Sequence, residues 1–280
     1  MSDGAGPDRS RPPLVSLRNR RTVLLAVALL VLVACLVPPV ATEARRYEFV
    51  EALQFCLLVV VVPALGVIGA PWRLLGLASR GAPVLDVDGC RVEAEGGRVV
   101  DRWARGRRHH PEVLRSAGFV ALYLAGTIAW RIPPSVNALA RHPWLVVVEA
   151  ATLVAVGTGL WLELVESPPL TPRLPHPHRV ALAAVSMWAI WVQAYLLGQS
   201  HASWYHAYAH HPGSGLSLSA DQQLTTGMMW FISGCAFVPV VFWNLIRWLQ
   251  SEEDLDDEMH RLVRQERTRG RTLEGGASPP

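Results

Sequence analysis

Imidazole, carboxylate and thioether side chains gather in one stretch of this sequence: His201, His206, His210 and His211, then Asp221, then Met228 and Met229. Four of the chain's ten histidines lie there. Imidazole together with thioether suits copper, and the soft thioether favours the cuprous ion. No spacing such as H-E-x-x-H fixes the histidines on one face, so a loop without an ion stands beside the metal reading. Methionines also serve as helix-packing residues, and Asp221, just ahead of an apolar run, suits a helix N-cap. Glu51, Gln54, Glu149 and Gln222 are further polar residues in or beside long apolar stretches, where an ionisable group is costly. Glu51 is near enough to an end to sit in headgroup water, whereas Glu149 is deep enough to need a partner or a bound proton. Cys35, Cys56, Cys90 and Cys235 are far apart, with no C-x-x-C. Cys56 and Cys235 would add thiolates only if their helices turn them inward.

The elements that hold these groups are membrane helices. The chain of 280 residues is 51% hydrophobic and 18% charged, which points away from a soluble domain. A crossing helix needs about 20 largely apolar residues, because each backbone amide must be satisfied without water. Six stretches qualify: Thr22 to Val40, Phe49 to Ala70, Val113 to Trp130, Pro143 to Val165, Val180 to Gln199, and Leu224 to Ile246. The predicted fold is therefore all-α, a polytopic transmembrane bundle of about six spans. Arg115, one turn inside the third stretch, is expected to snorkel. The first stretch contains Leu32, Val33, Ala34, Cys35, which resembles a lipoprotein cleavage box, but the apolar run continues past it to Val40 and favours an uncleaved helix.

Orientation follows from arginine, the only basic residue type besides histidine. Cytoplasmic loops accumulate Lys and Arg. With the N-terminus inside, 22 of the 26 arginines fall on the inner side, leaving Arg45, Arg46, Arg131 and Arg141 outside. Both termini are then cytoplasmic. Residues 1–21 form an inner tail, 22–248 the transmembrane domain with a cytoplasmic loop at 71–112, and 249–280 an inner tail that reads as a solvated helix fraying after Arg271, with its last residues from Gly275 disordered. Val84 to Val92 suggests a small hairpin around Asp88 and Gly89. Under this topology Glu51, Glu149 and Asp221 share the outer leaflet. Pro63 and Pro239 are expected to kink their helices, and Gly66, Gly69, Gly157, Gly159, Gly227 and Gly234 to offer flat packing faces.

Several function classes are excluded or disfavoured. A formal net charge of +3 is no nucleic-acid-binding signature. No H-E-x-x-H, G-x-S-x-G or phosphate-cradling glycine loop is present, and no span carries a histidine to act as base, so no enzyme is expected. A proton-linked carrier using Glu51 and Glu149 would call for an internal repeat, and none is visible.

The segment Asp221, Gln222, Gln223, Leu224, Thr225, Thr226, Gly227, Met228, Met229, Trp230 resembles the D-Q-Q-L-x-x-G-x-x-W signature that opens the last span of the CtaG family, bacterial assembly factors of caa-type cytochrome c oxidase. Val62 to Trp72, the aromatic stretch Trp204, Tyr205, His206, Ala207, Tyr208, and Arg247, Trp248, Leu249 are also similar to that family. The resemblance implies a polytopic membrane protein with oxidase subunits as partners, copper as the tentative cofactor, and a location in the bacterial cell membrane. It departs where the family carries H-M-x-Q-H. Glu51, Ala52, Leu53, Gln54, Phe55 stand there, and a further family histidine falls at Ala150. Gln54, Glu149, Asp221 and Gln222 persist from that polar set. The expected role is assistance to oxidase maturation by copper delivery from the outer face. The loop histidines would capture the ion and Met228 with Asp221 would pass it inward. A metal-free structural partner is the alternative.

Overall fold

The computed structural model describes residues 14–74, 84–85, 91–92, 112–168, 170, 172, 174–199, 204–208 and 215–275. Six helices are long and apolar enough to cross a membrane. The first span lies in Leu14–Leu36, and the second runs from Glu48 to Gly69. The third is Glu112–Arg131, the fourth Leu145–Leu164 and the fifth His176–Gln199. The sixth belongs to a single helix, Leu218–Gly275. That helix begins six residues before the expected Leu224 and continues through Pro239. Its 58 residues amount to about 87 Å at 1.5 Å per residue. The segment that follows the span is thus helical from Glu252 to Gly275, as its charge pattern predicted. The predicted hairpin lies partly outside the described residues, but Val84 pairs with Val92 and Leu85 with Arg91 in antiparallel register.

The second span is the central post: 67% of it is buried, against 11% of the first span's window. It is not a uniform helix. Glu48–Cys56 is α-helical, Leu57–Val61 forms a π turn, and Val62–Gly69 resumes the α-helix. Pro63 has no N–H for the carbonyl four residues back, and the π turn is the local adjustment beside it. Ala70 ends the span in the left-handed region, with φ of 47°, just before Pro71.

The fourth span packs on this irregularity through Gly157. A Cβ there would lie 2.5 Å from the Val59 carbonyl oxygen and 2.6 Å from Pro63 Cγ, so only glycine permits the approach. Gly159 faces Phe119 in the same way, whereas Gly66 and Gly227 meet nothing within 4 Å among the described residues and offer no packing face to them. Trp161 stacks on Phe237, with centroids 5.3 Å apart, and Tyr123 meets Phe237 edge-on. This aromatic group joins spans three, four and six.

Two short helices cross the outer end, Val40–Glu43 and Pro133–Arg141. The second opens on two prolines, whose fixed φ suits a first helical turn, and it buries Val136, Asn137 and Leu139.

Candidate functional site

The end of the bundle that the arginine distribution places outside carries most of the buried polar groups. It collects the N-terminal ends of spans two, four and six and the C-terminal end of span three. Glu51, Glu149 and Asp221, expected there from topology, are all buried there.

Asp221 lies in the first turn of span six. Its Oδ2 accepts the backbone N–H of Glu48 at 2.9 Å, and its Oδ1 accepts that of Phe49 at 2.9 Å. The first N–H groups of a helix lack intrahelical partners and carry a partial positive charge, which a carboxylate satisfies twice over. Asp221 is therefore an N-cap, but of span two and not of its own helix. Gln222 donates through Nε2 to the Leu197 carbonyl at 2.5 Å. Thr226 donates from Oγ1 to the carbonyls of Ala194 and Gln222. The signature that opens span six thus fastens that span to the starts and ends of its neighbours.

Glu51 forms a buried ion pair with Arg131 Nη1, the side chains being 5% and 3% exposed. The guanidinium sits between the rings of Phe55 and Tyr205, each centroid 5.4 Å from Cζ. Such a cation over two aromatic faces is stabilised by their quadrupoles. Gln54 donates to the Cys35 carbonyl at 2.6 Å, joining spans two and one. Glu149 is 2% exposed and lies within electrostatic reach of Glu51, Arg131 and Cys35. Glu48, which the sequence reading left unmarked, is buried in the same group. Four carboxylates, those of Glu48, Glu51, Glu149 and Asp221, thus share the site with the Arg131 guanidinium. One oxygen on each glutamate, together with Arg131 Nε and Nη2, has no hydrogen-bond partner among the described residues.

The turn at 204–208 roofs this group. The Tyr205 hydroxyl donates to the Arg131 carbonyl, and that of Tyr208 donates to the Ala44 carbonyl, both at 2.9 Å. The Ala207 N–H donates to Asn137 Oδ1 at 2.9 Å. Burial pushes the Tyr205 phenol up to about 12 and that of Tyr208 well above its ordinary value, so both remain donors.

The proposed soft ligands are divided. Met229 is fully buried and Met228 half-buried, on neighbouring faces of one helix. Cys35 and Cys56 are buried, whereas Cys235 is exposed. His206 is exposed on the roof turn, and His201, His210 and His211 lie outside the described residues. Among the described residues no three His, Cys, Asp or Glu side chains form a group that could hold a metal ion.

A second ionic group occupies the opposite end. Arg115 does not snorkel. Its Nε and Nη2 donate to the two oxygens of Glu163 at 3.1 and 3.2 Å, and Ser116 adds a third donor at 2.9 Å. Glu163 is fully buried, and a bidentate guanidinium satisfies it better than a reach to the headgroups would satisfy Arg115. Its place at the inner end of span four, facing the start of span three, was the available signal.

The model of the cytochrome c oxidase caa3 assembly factor family matches residues 5–251. The chain belongs to this family. The match takes in all six spans and the inner loop. No curated protein and no solved structure matches. In this assembly-factor chain the D-Q-Q-L signature has a structural meaning: its first two residues tie the outer ends of spans two, five and six together.

Proposed function

We propose that this caa3 assembly factor assists oxidase maturation in the bacterial cell membrane without catalysing a reaction, and that the step it serves is delivery of copper from the outer side. The observation that supports this reading is the turn at 204–208, which roofs the buried Arg131 group and carries the exposed imidazole of His206 on its outer side. In the sequence His201, His210 and His211 flank the roof turn and His206 belongs to it, and Met228 and Met229 stand on the helix that follows. Exchange of an imidazole for a thioether breaks one coordinate bond as it makes another, so a cuprous ion is passed on with no change of oxidation state. The test is a cuprous titration of the purified protein, with and without replacement of all four loop histidines, beside oxidase activity in a deletion strain grown with and without added copper. Binding that falls with the histidines, and an activity defect relieved by copper, support delivery.

A second reading is a metal-free partner of the oxidase. It is favoured by Glu51 and Phe55, which stand where the family resemblance leads one to expect histidines and which are both engaged with Arg131. An oxidase defect that copper does not relieve, with no cuprous binding above background, selects this reading.

A further inference from the structure

Glu149 stands about 6 Å inside span four, Leu145–Leu164. That is past the first turn, where the unpaired N–H groups of a helix start would favour a negative charge. Its carboxyl group is buried, and Oε1 has no hydrogen-bond partner among the described residues. The donors in its neighbourhood point elsewhere. Thr152, one turn on, donates to the carbonyls of Val148 and Glu149, each at 2.9 Å, and accepts Trp130 Nε1 at 2.8 Å. Gln54 Nε2 donates to the Cys35 carbonyl and the Tyr208 hydroxyl to the Ala44 carbonyl. Arg131 gives Nη1 to Glu51 Oε2, while its Nε and Nη2 have no acceptor, so neither of them reaches Glu149.

An ionised carboxylate in such a place is costly unless a cation or several donors hold it. The charge that Glu149 feels most is that of Glu51, ahead of Arg131. Two like charges in one buried group disfavour each other, and the single guanidinium is already paired. Glu51 itself keeps one oxygen, Oε1, buried and without a donor. Each of the two glutamates thus offers an orphaned acceptor, and one proton between them satisfies both. Glu48 Oε1 is free as well, but the charges that act on Glu48 are those of Arg131, Glu51 and Asp221, not that of Glu149. Asp221 is satisfied by the N–H groups of Glu48 and Phe49. The other ionisable neighbours, Cys35 on span one and Tyr208 on the roof, are a thiol and a phenol and bring no positive charge. A proton needs only two oxygens, whereas no group of three metal-binding side chains exists among the described residues.

We propose that Glu149 and Glu51 form a proton-binding pair beneath the roof. Glu149 holds a proton taken from water at neutral pH and donates it in a hydrogen bond to Glu51 Oε1, while Glu51 Oε2 keeps Arg131. The pair then carries one negative charge, which the guanidinium balances. The test is the infrared spectrum of the full-length, metal-free protein in detergent at neutral pH, recorded in ordinary and heavy water, beside that of Glu149→Gln. Exposed carboxyl groups are ionised at this pH. The native protein is expected to show a protonated-carboxyl C=O band that shifts in heavy water and lies on the low-frequency side, as a strong hydrogen bond requires. Glu149→Gln has nearly the same shape and offers an N–H to the same oxygen, so it should fold with native helicity and lose that band, by one carboxyl group per chain. A native spectrum without the band overturns the proposal with no variant needed. A band that survives in the folded variant overturns it too, since the proton then belongs to another carboxyl group. A band at the frequency of a carboxyl group without a hydrogen bond leaves Glu149 protonated but unpaired and overturns the pair.

Discussion

Replacing Asp221 with alanine separates a structural carboxylate from a metal ligand. In the native protein each carboxylate oxygen accepts one backbone N–H at 2.9 Å, and Glu48, the first of the two donors, is 4% exposed. Alanine leaves both donors without a partner at the start of the most buried span. A lost N-cap costs about 0.5–2 kcal/mol, and a buried donor left unsatisfied costs about 1–3 kcal/mol. Two such donors, partly relieved by water reaching the outer end, set the expected loss at about 3 kcal/mol. For a chain of this size that lowers the Tm by roughly 6–12 °C. Asp221→Asn keeps one acceptor oxygen and turns an amide donor toward the second N–H, so it should lose about half as much. The assay is thermal unfolding of the metal-free protein in detergent, following helicity. If Asp221 acted chiefly as a copper ligand, Asp221→Ala would leave the metal-free Tm unchanged and lower only the copper-bound value. That result would refute the cross-helix cap.

Arg131→Met strands Glu51 in a buried site, and breaking such a pair costs about 3–5 kcal/mol; Arg131→Met with Glu51→Leu should recover much of this, measured as a coupling energy in a double-mutant cycle. Gly157→Ala forces a Cβ to 2.5 Å from the Val59 carbonyl oxygen, and a loss of about 1–3 kcal/mol in unfolding is expected from overpacking. Gly227→Ala meets nothing within 4 Å and should be neutral or slightly stabilising in the same assay, since alanine is the better helix former. The Tyr205 phenol is raised in the folded protein to about 12 from an ordinary 10. The folded state therefore holds this proton more tightly, and the resulting stability is full below about pH 10 and lost as pH rises toward 12. Unfolding followed through that window should show a smaller decline for Tyr205→Phe than for the native chain; an identical decline would contradict the assignment.

Hydropathy made the spans legible because transfer into lipid is a property of a segment, and a window of residues measures it. The six stretches, their antiparallel order and the common depth of Glu51, Glu149 and Asp221 all follow from that property. Lateral partners do not. Arg131 counts in the sequence as a leftover outer arginine, yet it is buried and forms the centre of the site, because Glu51, Phe55 and Tyr205 reach it from two other parts of the chain. Glu163 was overlooked near the end of an apolar run, although topology places it opposite Arg115. Asp221 was legible as a capping residue but not as the cap of another helix. The sixth helix begins at Leu218, so Asp221 already lies inside it and its carboxylate is free to turn across to span two. The helix Pro133–Arg141 was missed because nine residues are too few for a span window, and its proline pair reads equally well as a turn.

The same geometry bears on the family departures at residues 51 and 55. Glu51 supplies the counter-charge for Arg131, and Phe55 supplies one of the two rings that enclose it. These positions are one helical turn apart on the buried face of span two, so a single neighbour can engage both. Two substitutions that look like separate losses in the sequence are therefore one arrangement in space, built around a guanidinium. A fixed positive charge amid four carboxylates relieves their repulsion without a bound ion, and it ties span two to the end of span three beneath Tyr205. A metal centre at this depth would have to compete with that charge for the same oxygens. An ion carried by the chain is thus better placed above the Arg131 cage, on the side of the roof that bears His206, than inside it.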